Sequence, residues 1–337
     1  MTIIYAVIMV CILIFVHELG HFIAAKACGV KVNEFALGMG PAIYQRKKGE
    51  TTYSLRIIPM GGYCAMEGED EESTDERAFN NKPALQKSII LVAGAAMNVV
   101  TAVILMIIVT FISGIPTTTI DSTIKDSPAQ LAGLMPKDKI IQVDDLEIEK
   151  WNQFTKYIDS KEKGEEVNVT IERNGKEIFV PVKVAEQKNG DRFVGINAEP
   201  EKYQIKALIE GPKTTWNMAK DMFKILKDLV AGDVSAKDLS GPVGIVYMVD
   251  KSVSAGVITF IYFMALISLN LAVVNLLPFP ALDGGRLIFV IIRKITGKAI
   301  TDNMEAICHM VGMVCLLALM LYVTWQDILR FIVPIFK

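Results

Sequence analysis

Four blocks of this chain are too long and too apolar to be read as ordinary elements of a soluble core. They cover about residues 2–26, 88–113, 256–280 and 305–325, and the second and third carry no charge at all. A helix needs about 20 residues to cross a ~30 Å hydrocarbon core, so each block suffices with some tilt. A length of 337 residues alone suggests about two soluble domains, but the 52% hydrophobic content is gathered into these blocks, with polar segments between them. That is the pattern of a polytopic membrane protein with an attached soluble domain. A net charge of −2 gives no global case for nucleic acid as a partner.

The first block lacks a basic n-region and a small-residue cleavage site, so it is read as retained rather than as a signal peptide. Orientation follows from the short loops. No Lys or Arg precedes the first span. The loop after it carries eight, from Lys31 to Lys87, and the loop after the third span carries Arg286, Arg293, Lys294 and Lys298. Both loops are expected in the cytoplasm, with both termini and the long segment between spans two and three outside. Five cysteines, at 11, 28, 64, 308 and 315, lie in or near the apolar blocks, and match neither a disulfide framework nor a zinc-cysteine spacing.

Between the spans, residues 30–44 and 51–60 are β-branched and aromatic runs bounded by Gly and Pro, and predict a β-hairpin or small sheet at the membrane surface. Glu67 to Glu76 reads as a mobile, solvated acidic loop. Residues 114–205 form a polar module. Ser127 to Leu134 reads as turn, short helix and stop, Lys139 to Asp145 as a strand and turn, and Trp151 to Lys161 as an amphipathic helix. Val167 to Arg173 and Lys176 to Val184 flank Asn174-Gly175, the signal of a type I′ hairpin. Residues 207–231 are amphipathic, and either lie on the outer membrane face or pack on the soluble module. The domain boundaries are thus 1–113, 114–205, 206–254 (amphipathic helix and linker) and 255–337.

Chemistry enters the first span as His17-Glu18-Leu19-Gly20-His21. Histidines four apart share one helix face, where they can bind one zinc ion, and the Glu beside the first can serve as general base on a water at the metal. Ionisable groups inside a bilayer are expensive, so here they need a reason. A catalytic zinc takes three protein ligands. The remaining histidine, His309, is read as a packing or interfacial residue, which leaves a carboxylate. Asp283, in Leu282-Asp283-Gly284-Gly285-Arg286, is the best candidate because its depth agrees. His17 lies about sixteen residues, or ~24 Å, into a helix that starts outside. Asp283 follows a third span that ends inward at Pro278 and Pro280. Asn270 and Asn275, just before that break, can donate to substrate or to an oxyanion, or can simply bond between helices. Asn98, in Gly94-Ala95-Ala96-Met97-Asn98, reads as part of a helix-packing face.

With these residues in place, the chain resembles the site-2 protease family of intramembrane zinc metalloproteases, and within it the bacterial regulator-of-sigma-E-like branch with one PDZ domain. The resemblance spans nearly the whole chain. It is carried by HELGH, Ile58 to Tyr63, Gly94 to Asn98, Ser127 to Leu134, Leu239 to Gly244, and Ser268 to Arg286. It implies zinc on His17, His21 and Asp283, a catalytic Glu18, and substrate contacts from Asn270, Asn275 and the hairpin. It further implies an extracytoplasmic PDZ-like α+β domain acting as a size filter. The substrates it implies are single-span membrane proteins already trimmed by another protease, such as anti-sigma factors or remnant signal peptides. Ala95 stands where the family usually has Pro, Lys137-Asp138 where Gly-Asp is common, and Asp144-Asp145 where Asn-Gly is common. The competing classes are an inactive membrane-anchored PDZ scaffold, against which the intact HELGH and Asp283 speak, and a metal transporter, for which the sequence offers no pathway of ligands.

Overall fold

The computed structural model describes residues 2–69, 73–187, 190–202, 204–232, 240–297 and 302–333. The chain divides into two units, Met1–Val109 with Glu210–Lys337, and Thr110–Ile209. Leu239, the first residue of the 239–244 stretch, and Lys298 lie outside the described residues.

The first unit opens with helix α1, Thr2–Ala27. Its buried residues, Ala6, Met9, Leu13, His17, Gly20, His21 and Ala25, recur at helical spacing, so the two histidines continue the inward stripe of the span. Strands β1 (Val32–Lys48) and β2 (Thr51–Met66) follow. They form the expected hairpin, but it folds back on itself. Val32–Leu37 pairs with Gly62–Met66 and also with Thr52–Leu55, while Ala42–Lys48 pairs with Thr51–Arg56. Gly38, at φ 88°, makes the reversal, and a side chain there would strike the carbonyl of Ile58 at 2.6 Å. Helix α2, Ala84–Ser113, buries Gly94, Ala95, Asn98 and Ala102. In lipid, where apolar burial gives little drive for helix pairing, small residues of this kind let backbones approach closely. A Cβ on Gly20 would lie 2.3 Å from the Ala93 carbonyl oxygen, so α1 and α2 meet at that glycine.

The second unit is an α+β domain. Its strands are β3 (Ile115–Thr123), β4 (Lys139–Val143), β5 (Leu146–Glu147), β6 (Glu166–Arg173), β7 (Lys176–Lys183), β8 (Ala185–Glu186), β9 (Arg192–Phe193) and β10 (Ile196–Glu201). The main sheet runs β10-β3-β4-β6-β7, with β5 on β4. Helices α3 (Pro128–Leu131) and α4 (Trp151–Asp159) contribute Ala129, Phe154 and Ile158 to a core that includes Ile120, Ile140, Val169 and Ile171. Each large apolar side chain buried there stabilises the domain by about 1.5–3 kcal/mol. The Ser127 hydroxyl caps α3 by accepting from the Gln130 amide, and Asn174 and Gly175 both have the positive φ of a type I′ turn. Asp138, 1% exposed, is neutralised by a two-pronged bond from Arg173. Lys137 keeps φ 72°, a left-handed conformation that glycine enters more freely.

The chain then returns to the first unit. Helix α5, Gln204–Ala231, carries the amphipathic stretch at 207–231. Gly211 lies against Ile107 of α2, where a Cβ would meet that residue's backbone at 2.9 Å. Helix α6 (Pro242–Ser254) precedes α7 (Val257–Asn275), and Val249 of α6 closes a core with Ala6, Met9 and Leu13 of α1. The third span ends at Asn275, five residues earlier than the apolar run suggests. Helix α8, Asp283–Thr296, replaces much of the expected loop after it. Helix α9, Asp302–Asp327, carries most of the last apolar stretch, Asn303–Ile332. Thr2–Ala27, Ala84–Ser113, Val257–Asn275 and Asn303–Ile332 are all long and apolar enough to cross a membrane. Most residues of each apolar window are not buried within the protein, as lipid-facing helices require.

Candidate active site

Helix α1 brings His17 and His21 onto one face, and the first residue of α8 brings Asp283 to meet them. The two Nε2 atoms are 3.1 Å apart, and Asp283 Oδ2 lies 3.1 Å from the first and 3.3 Å from the second. Tetrahedral zinc with bonds of about 2.0–2.1 Å sets its ligand atoms about 3.3–3.4 Å apart. The three donors therefore fit one zinc ion, and both histidines are buried.

The second span builds the outer layer of this cluster. His21 Nδ1 bonds the Ile90 carbonyl at 2.9 Å, which places the proton on Nδ1 and leaves Nε2 its lone pair. Asn98 does the corresponding work for His17: its amide nitrogen lies 3.3 Å from His17 Nδ1, while its Oδ1 is buried without a partner. A half-turn of the amide sets that orphaned oxygen on Nδ1–H, the arrangement a metal-binding His17 requires. Gly94 completes the cradle. A Cβ there would lie 2.3 Å from His21 Nε2 and 2.8 Å from His17 Nε2. Asn98 is thus more than a packing residue, and neither it nor Gly94 stands out from the sequence as part of the site. The available signal was a single amide in an uncharged span, and the structure shows it fully buried.

Asp283 depends on its turn. Side chains at Gly284 and Gly285 would collide with the carbonyl oxygens of Leu277 and Phe279 at 2.3 Å, so the paired glycines let α8 start tight against the residues that leave α7. Arg286 pairs with Glu69 from the segment after β2. Glu18 is half-buried, and its Cγ is 3.4 Å from where a Gly62 side chain would begin, so β2 lies beside it. Asn275 is half-buried at the last residue of α7, and Asn270 is exposed. The interhelical bond of that span is made by Ser268, whose hydroxyl donates to the Asn98 carbonyl at 2.9 Å.

The hairpin is clamped electrostatically. Lys26 and Arg77 both hold Glu50, at 2.6 and 2.7 Å. Glu67 accepts from Asn33, Ser73 and Lys31 at 2.9, 2.7 and 3.1 Å, and these bonds hold its carboxyl down at about 2. The described part of the acidic stretch is therefore tied down rather than free, because the hairpin offers donors to it; residues 70–72 lie outside the described residues.

A zinc-competent His-His-Asp cluster set among apolar helices of spanning length defines a metallopeptidase that works within a membrane. The model for peptidase family M50 matches residues 5–319, and the chain belongs to that family. It is a zinc metalloendopeptidase. A putative zinc metalloprotease of Clostridium acetobutylicum is 37% identical over 97% of both chains. The regulator of sigma-W protease RasP of Bacillus subtilis is 30% identical over 98% of both. Among solved structures, the PDZ domain of the SdrC-like protein of Listeria innocua is 26% identical, covering 25% of this chain and 96% of that one, with a TM-score of 0.24.

Proposed function

We propose that this endopeptidase cleaves single-span membrane proteins, trimmed anti-sigma factors or remnant signal peptides among them, with His17, His21 and Asp283 as zinc ligands and Glu18 as general base. The observation that carries the reading is the triangle of donor atoms, 3.1–3.3 Å on a side, formed between the first span and α8. When bound, zinc supplies Lewis acidity for the scissile carbonyl and makes water acidic enough to attack near neutral pH. Glu18, adjacent to His17, would take a proton from the attacking water and hand it to the leaving amine. Asn98 and the Ile90 carbonyl keep both imidazoles turned so that Nε2 stays a donor.

A helical substrate must unwind before it can be cut. The Gly62–Met66 segment pairs with Val32–Leu37, and Gly62 lies beside Glu18. A strand added to this sheet would present its peptide bond to the base, with Asn270 and Asn275 near the turn as further contacts. The sigma-W name of the Bacillus subtilis relative supports an anti-sigma substrate. The basic loops support a cytoplasmic side for the hairpin and the catalytic end of α1. The α+β unit is then an extracytoplasmic PDZ-like filter, and both termini are outside. Co-expression with a pre-trimmed single-span protein tests the reading. Wild type converts it to a shorter product, and the Glu18→Gln strain accumulates it intact. Equal conversion in both strains would refute the role of Glu18.

A further inference from the structure

Asp283 reaches the metal site only because the seven residues between α7 and α8 take one particular path. Ala281, two residues before it, sits at φ 77°, a left-handed conformation that a residue with a Cβ enters at a cost. Something must hold it there, and the contacts come from the fourth span. The Ala281 N–H donates to His309 Nδ1 at 2.8 Å. Three residues further along α9, a side chain at Gly312 would lie 2.4 Å from the Pro280 carbonyl oxygen, so the helix backbone presses directly on the same turn.

His309 is itself held on more than one side. Its ring packs on Phe289 of α8 at 5.6 Å, and its Nε2 lies 3.7 Å from Glu305. Glu305 in turn pairs with Arg293 of α8 at 2.7 Å. An imidazole that accepts a backbone N–H at Nδ1 carries its proton on Nε2, facing Glu305. The chain of contacts runs from Arg293 through Glu305 and His309 to the backbone of Ala281, and ends at the carboxylate that completes the triad.

We infer that His309 is a positioning residue of the metal centre: by accepting the Ala281 amide it fixes the strained turn that delivers Asp283 to His17 and His21. The inference rests on the metal reading above but assigns the third histidine of the chain a role in it without making it a ligand. Outer partners of metal ligands commonly change metal affinity by about 10–100-fold when removed.

The full-length protein, purified in detergent, is titrated with zinc against a chelator of known affinity. His309→Asn keeps an acceptor where Nδ1 stands, whereas His309→Gln places its amide further out, and the two are matched in polarity. The Asn variant should bind within about threefold of wild type, and the Gln and Leu variants about tenfold more weakly. Glycine enters the left-handed region freely, so Ala281→Gly should shrink the His309→Leu deficit to about twofold. Wild-type affinity in His309→Gln, or equal losses in Asn and Gln, would overturn the assignment. A wild-type protein that binds no zinc would overturn the metal centre along with it, a result distinguishable from failure of the His309 role alone.

Discussion

The amide of Asn98 meets the ring of His17 at 3.3 Å, so the second span touches a candidate metal ligand carried by the first. The contact reaches the nitrogen that faces away from Asp283, and with the amide oxygen turned onto it the proton sits on Nδ1 and leaves Nε2 free for a metal. Replacing Asn98 with Leu should reduce zinc affinity by about 10–100-fold while leaving the protein inserted and folded. Chelator competition reads the change. Wild-type affinity in the variant would mean that the His17 tautomer is set elsewhere.

Gly94 gives a sharper steric test. Its missing side chain leaves room for both imidazoles, and a methyl group would stand 2.3 Å from His21 Nε2. Gly94→Ala should lose most of its zinc, as His21→Ala should, although alanine is the better helix former by about 1 kcal/mol. Metal analysis of the purified variants checks this. Full zinc occupancy in Gly94→Ala would show that α1 and α2 can separate at no cost.

HELGH was legible because two histidines and a glutamate have no cheap reason to sit in an apolar helix. Asp283 was legible through depth and its Gly-Gly sequel, since few residue patterns end a span and start a helix so tightly. Asn98 and Gly94 were not, because a glycine and an amide on a small-residue face serve helix packing equally well, and only the register of α2 against α1 decides between the two. The hairpin was visible from its β-branched runs, but its folding back was not, since Gly38 announces a turn without saying which strand the chain will meet next. Helix α8 was hidden for a different reason. The prolines before it and the glycines in its first turn read as loop, and its apolar stripe is too short to signal a span.

The hairpin clamp makes a prediction about pH. Glu67 titrates at about 2 in the folded protein, against about 4.5 for a free glutamate. A depressed carboxyl contributes stability that is complete above 4.5 and is lost as pH falls from there through 2. Amide exchange at Glu67, whose N–H bonds the Lys31 carbonyl at 2.9 Å, should accelerate across that window once intrinsic rates are corrected. Glu67→Gln should abolish the acid dependence. An unchanged profile in that variant would assign the clamp to another group.

Asp327 at the end of α9 is 2% exposed and accepts the amides of Gly241 and Gly244 at 2.9 and 2.7 Å, sealing the start of α6. Side chains on either glycine would lie about 3.0 Å from its carboxylate. Asp327→Leu strands two buried N–H groups and should destabilise the protein by about 2–4 kcal/mol, whereas Asp327→Asn keeps one acceptor and should lose less. Thermal unfolding in detergent ranks the two. Equal stability of the Leu variant and wild type would remove the carboxylate from the account of how α6 is held.

The measurement closest to the centre of the proposal is cleavage by protein reconstituted in vesicles with a single-span peptide, read together with its zinc content. Wild type should hold one zinc per chain and cut the peptide. Glu18→Gln should keep the zinc and cut at least ~100-fold more slowly, the loss expected for a general base. Cleavage by Glu18→Gln at the wild-type rate, or by wild type stripped of zinc, would contradict the assignment of this site.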